Sequence, residues 1–122
     1  MTEQTADFKQ AARDVIDRYL DALFQGRVAD VIALYDDDAE IIRYEGVARD
    51  QAIRPFVEEL TESRRDGQLL SIDRLAAGPD TIAWDATIET ERGPIQTSDV
   101  FVLSDSGAIL RHVPTLRGYW GM

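Results

Sequence analysis

The chain has 122 residues, no cysteine, and 13 Lys plus Arg against 23 Asp plus Glu, for a formal net charge of −10. That length suits a single domain, 1–122, with a core large enough to dispense with disulfides or a structural metal, and the missing cysteines remove thiolate nucleophiles and Cys-type zinc sites as well. The acidic balance argues against nucleic acid and anionic membranes as partners, because both require clustered cations. No apolar run approaches the roughly 20 residues of a membrane span, and MTEQTADFKQ lacks the basic and apolar regions of a secretory signal, so a cytoplasmic location is expected.

From Ala6 to Gln25 the apolar positions are Phe8, Ala11, Ala12, Val15, Ile16, Tyr19, Leu20, Leu23 and Phe24. Their alternating spacing of three and one predicts an amphipathic helix, stopped by Gly26. A short second helix is expected over Val28–Tyr35, broken by Asp36, Asp37 and Asp38. This acidic run lacks the alternate ligand spacing and glycine bend of a calcium loop, so it reads as a solvated turn. A strand follows over Ala39–Glu45. Asp50 is the expected N-cap of a third helix reaching about Ser63, with Ile53, Phe56, Val57 and Leu60 on one face and Pro55 in its first turns.

Arg64-Arg65-Asp66-Gly67 reads as a turn. Four strand-like segments then follow, at 68–77, 81–91, 95–104 and 108–119. They are separated by the hairpin signals GPD, RGP and DSG. Three helices with one strand among them, then an antiparallel meander, predict an α+β domain: helices laid on a strongly curved sheet, forming a cone around a cavity.

Several side chains carry chemistry. Tyr19 places a hydroxyl in an apolar stripe, where it needs a partner. It is either a core tyrosine bonded to a carbonyl or the wall of a pocket. Arg43 faces inward or outward according to a one-residue choice of strand register. Trp84 and Trp120 suit a core, a dimer interface or a cavity wall. His112, the single histidine, has no carboxylate at triad spacing and reads as structural or exposed. No phosphate-binding or dinucleotide fingerprint occurs.

Three segments carry a resemblance: IDRYLDALFQGRVADVIALYDDDAEI at 16–41, SDVFVLSDSG at 98–107 and LRGYWG at 116–121. With the element order, they resemble the superfamily of nuclear transport factor 2, the ketosteroid isomerases and the SnoaL-like cyclases. The steroid Δ5-3-ketosteroid isomerases are the closest likeness. In that family a carboxylate removes a proton beside a ketone, while a tyrosine and a protonated aspartic acid stabilise the dienolate oxygen.

The resemblance places Tyr19 as the tyrosine donor. It makes Asp99 the second donor or, if ionised, the base. It also assigns Trp84, Trp120, Phe56 and Phe101 to the ligand cavity. The base position is occupied by Arg43, which stays protonated and cannot act as a base. Glu45, two residues further on, is the reserve base. Arg43 also suits a ligand carboxylate or enolate oxygen.

The resemblance therefore implies a pocket for a hydrophobic, carbonyl-bearing ligand, with isomerisation or another proton transfer beside the carbonyl as its reaction. It implies no metal, no organic cofactor, and pairing into a homodimer. The loss of the base leaves open a non-catalytic ligand-binding or dimerisation module, and a cyclase or epoxide hydrolase of the same fold.

Overall fold

A computed structural model describes residues 2–119, with side chains from 7 to 117. Helix α1 spans Thr2–Phe24 and helix α2 Val28–Ile32. Strands β1 (Tyr35–Arg43) and β2 (Gly46–Arg49) form a hairpin, and a 3-10 turn at Asp50–Ala52 leads into helix α3 (Ile53–Arg64). Strands β3 (Gln68–Ala77), β4 (Thr81–Thr90), β5 (Gly93–Leu103) and β6 (Ile109–Tyr119) complete the chain. The α+β class and the four-stranded meander follow the sequence expectation closely.

Helix α1 buries Ala12, Val15, Ile16, Tyr19, Leu20, Ala22 and Leu23. Its end is a Schellman turn. Gly26 takes φ 70°, and the amides of Gly26 and Arg27 donate to the carbonyls of Leu23 and Ala22. The six strands lie in the order β2-β1-β6-β5-β4-β3, antiparallel except where β1 runs parallel to β6. The sheet is curved and unclosed, with the helices packed on it. Register shifts in the β3–β4 and β5–β6 ladders mark bulges of the kind that bend strands.

Strict alternation fixes the inner face. Ile82, Trp84, Ala86 and Ile88 on β4 and Ile95, Thr97, Asp99 and Phe101 on β5 are all buried. The ladders align these into inward rows: Trp84, Asp99 and Pro114 in one, and Ile82, Phe101 and His112 in the next. Among the described residues, β6 pairs with β1 only as far as His112. Pro114 therefore follows the stretch where β6 is paired on both sides, and its missing N–H breaks no ladder bond there.

Four sequence expectations are corrected. Helix α2 ends at Ile32, and Tyr35 already belongs to β1. The run Asp36–Asp38 is a bulge inside that strand: from Tyr35 to Glu40 β1 advances five residues while β6 advances from Ile109 to Arg111. The Asp38 amide donates to the Asp36 carboxylate within it, as Asx turns do. The strand stops at Arg43, so Glu45 falls in the β1–β2 turn rather than on β1, and β2 itself was not foreseen. Asp50 does not cap α3; it sits at φ 54° before the 3-10 turn, and Ala52 precedes the helix without a side-chain cap. Among the described residues, no helix is long and apolar enough to cross a membrane.

Candidate functional site

A cavity of about 410 Å³ opens between α1, α3 and the inner face of the sheet. Tyr19, Leu20 and Leu23 wall it from α1, Phe56 and Leu60 from α3, and Trp84, Ile88, Thr97 and Asp99 from the sheet. Arg43, Tyr44, Glu45, Arg64 and Leu116 also line it. Each wall residue is there for a local reason. The helical stripe brings Tyr19 to the inner side of α1, and alternation along β4 and β5 turns Trp84, Thr97 and Asp99 toward it.

A buried chain of polar groups runs from Asp99 into the core. His112 Nε2 lies 2.6 Å from Asp99 Oδ1 and its Nδ1 lies 2.8 Å from the Tyr35 hydroxyl. Both distances fit one neutral tautomer of the imidazole, protonated at Nε2 and bare at Nδ1. In that tautomer the Tyr35 hydroxyl donates to Nδ1, and Nε2–H donates to the carboxylate of Asp99. His112 is fully buried and boxed by rings, with Phe101 at 4.8 Å and Tyr19 at 5.7 Å between centroids. This cage fixes the imidazole, and the imidazole fixes Asp99. Among the described residues, the second carboxylate oxygen accepts no side-chain hydrogen bond, and Asp99 lines the cavity.

Burial pushes the Tyr19 phenol well above its ordinary value, and the neighbouring Tyr35 hydroxyl and Asp99 carboxylate add to the push. Burial likewise raises Tyr35, helped by Asp99, while its contact with the Tyr19 hydroxyl acts in the opposite sense. Desolvation disfavours a phenolate, so both rings keep their protons and stay hydrogen-bond donors at working pH.

Three buried polar atoms on the cavity residues lack a partner: Arg43 Nε, Trp84 Nε1 and Thr97 Oγ1. Leaving a buried donor unpaired costs about 1–3 kcal/mol, so three beside one cavity are unusual for a region that only packs. The Arg43 guanidinium stacks over Phe56, 5.0 Å from the ring centre. A cation–π contact of this kind holds the charge in place but satisfies none of its N–H groups.

The structure thus brings Tyr19, Asp99, Arg43, Glu45, Trp84 and Phe56 to one cavity. Glu45 reaches it from an exposed turn. Phe101 does not line it. The ring is fully buried beneath the wall, packed edge-on against Tyr19, Trp84 and His112, because it lies one inward row past Asp99. Trp120 lies outside the described residues. His112 and Tyr35 were missed as site residues. A single histidine aligned on an inward row with Phe101 was the available signal, but it needed the β5–β6 register, which the sequence leaves open.

No protein-family model matches the sequence, and no curated protein matches it. Solved structures do. An NTF2-like protein from Anabaena variabilis superposes with a TM-score of 0.78 at 16% identity, over 99% of this chain and 96% of that one. A SnoaL-like protein from Burkholderia thailandensis gives 0.73 at 15% identity, over 90% and 98%. SalBIII, an epoxide hydrolase/cyclase-like enzyme of pyran ring formation in the polyether salinomycin, gives 0.72 at 18% identity, over 91% and 97%. The fold is therefore that of the nuclear transport factor 2-like proteins, as the resemblance implied.

Proposed function

We propose that this protein is a small-molecule enzyme in which Asp99 moves a proton beside a carbonyl group of a hydrophobic ligand. The observation that carries the reading is the 2.6 Å contact between His112 Nε2 and Asp99 Oδ1. A carboxylate that accepts an N–H on one oxygen is fixed in direction. Its other oxygen remains for substrate.

In the reaction, a C–H bond next to the carbonyl breaks, its proton goes to Asp99, and the electron pair moves onto the carbonyl oxygen as an enolate. Donors placed where that charge develops lower the barrier. Tyr19 and Trp84 supply two neutral donors, and Arg43 supplies a charged one. The proton then returns to the same or a neighbouring carbon, giving exchange or isomerisation. Arg43 removes the family's usual base, and Asp99 takes that role in its place. Glu45, exposed at the cavity edge, lacks the fixed geometry of Asp99.

The test needs only a generic carbon acid. Incubated with 2-tetralone in deuterated buffer, the protein should speed loss of the α-proton NMR signal. Asp99→Asn should reduce the protein-dependent rate by about 100-fold or more, the ordinary share of a general base. Exchange no faster than buffer, or an unimpaired variant, would favour the non-catalytic binding module. The same carboxylate also suits activation of water, which supports an epoxide-opening reading, and SalBIII shares the fold. Hydrolysis of styrene oxide without 2-tetralone exchange would select that reading.

A further inference from the structure

We propose that the natural ligand is an acid: a hydrophobic carboxylate whose anionic group is held by Arg43 and whose second acceptor is held by Trp84 Nε1–H and Thr97 Oγ1–H. This names the substrate class for the site described above and rests on that reading of the cavity. The ion pairs of the described residues use Arg13, Arg27, Arg49, Arg65, Arg74, Arg111 and Arg117. The two arginines on the cavity, Arg43 and Arg64, appear in none of them. Glu45 lines the same cavity, and neither it nor Asp99 forms an ion pair with either arginine.

The strongest support is the set of unpartnered atoms. Trp84 is 2% exposed and Thr97 6% exposed, and both present buried polar atoms with no hydrogen-bond partner. Arg43 Nε is a third such atom. An indole N–H and a guanidinium N–H can only donate, so the missing partner must be rich in acceptors. A planar guanidinium meets a carboxylate through two parallel hydrogen bonds. The apolar wall of Leu20, Leu23, Phe56 and Leu60 covers the remainder of the ligand. A neutral ketone alone would satisfy one donor and leave the charge of Arg43 without a counterpart.

The test is equilibrium binding of a matched pair, 2-naphthoate and 2-naphthamide, followed by calorimetry on the full chain. They share shape and apolar area and differ in charge. The expected result is at least roughly tenfold tighter binding of 2-naphthoate, the scale of one charge-assisted contact. Arg43→Gln should abolish that preference by weakening 2-naphthoate far more than 2-naphthamide, and Arg43→Lys should restore part of it. Trp84→Phe should weaken both ligands.

Equal affinity for the pair, binding of neither at millimolar concentration, or a preference that survives Arg43→Gln would overturn the proposal. Asp99→Asn should still bind 2-naphthoate at least as tightly. Acid selectivity without proton exchange would therefore refute the catalytic reading alone, and exchange without acid selectivity would refute this proposal alone.

Discussion

At the scale of single residues, the site depends on where protons sit. Tyr35 and Tyr19 are buried phenols whose ionisation is pushed up by desolvation first, with the Asp99 carboxylate adding to it. Below about pH 10 the folded and unfolded chains hold these protons equally, so they add no pH dependence. Above it, the unfolded chain loses them while the folded chain keeps them. Stability then falls with rising pH, at up to about 1.4 kcal/mol per pH unit for each phenol. Urea unfolding at pH 8 and at a series of values above 10 should show that decline. Tyr35→Phe should be about 1 kcal/mol less stable at pH 8, through loss of its bond to His112. Its alkaline decline should be shallower than that of the wild type. An equal slope would contradict the burial of that hydroxyl.

Tyr19 was legible in the sequence because the helical stripe is unbroken and its inward side follows from spacing alone. His112 was not. Its neighbours in sequence say nothing of Asp99, and the pair forms only when β5 and β6 take one register out of several. Arg43 lay between these cases. Its residue type excluded a base at once, but its reach into the cavity depends on β1 ending at that residue.

At the scale of elements, the turn between α3 and β3 is a closely packed junction beside the cavity's walls. The Asp66 amide donates to the Phe24 carbonyl and the Gly67 amide to the Arg64 carbonyl. A side chain at Gly67 would meet the Arg64 carbonyl oxygen at 2.8 Å, the Glu89 carbonyl oxygen at 2.9 Å and a Phe24 ring carbon at 3.0 Å. Two of these are backbone atoms that cannot rotate aside. Gly67→Ala should therefore cost about 1–3 kcal/mol, as overpacking does. Gly78→Ala, where a side chain would meet nothing within 4 Å, should stay within about 0.5 kcal/mol of the wild type. Chemical denaturation of the two variants checks this, and equal effects would contradict the packing at Gly67.

The helices and meander strands were legible because their patterns are long and their breaks carry Gly, Pro and Asp. The short β2 strand was not, since four residues give no period to read. The acidic run was half legible. Its local turn chemistry was foreseen, yet the strand continues through it because Ala39 and Ile41 are buried on the far side.

At the scale of the whole molecule, curvature converts an ordinary meander into a site. The bulged ladders bend the sheet, α1 and α3 cover its concave face, and the inward row containing Trp84 and Asp99 is left facing a cavity rather than a packed core. The general shape was readable from element order. The content of the cavity was not, because it depends on which inward rows the helices cover and which they leave open. The protein's charge is strongly negative, yet the cavity holds two arginines outside the described ion pairs. This contrast separates the recognition of an acid from the general electrostatics of the surface.

Proton abstraction by Asp99 requires that the proton between His112 and Asp99 belong to the histidine. The chain has one histidine, so a nitrogen-15 NMR spectrum of the imidazole at neutral pH is unambiguous. The expected spectrum shows a protonated Nε2, a bare Nδ1 accepting from Tyr35, and a strongly downfield Nε2 proton that moves upfield in Asp99→Asn. A bare Nε2 would place the proton on Asp99 and rule that residue out as the base, because a protonated carboxyl cannot take a proton from substrate.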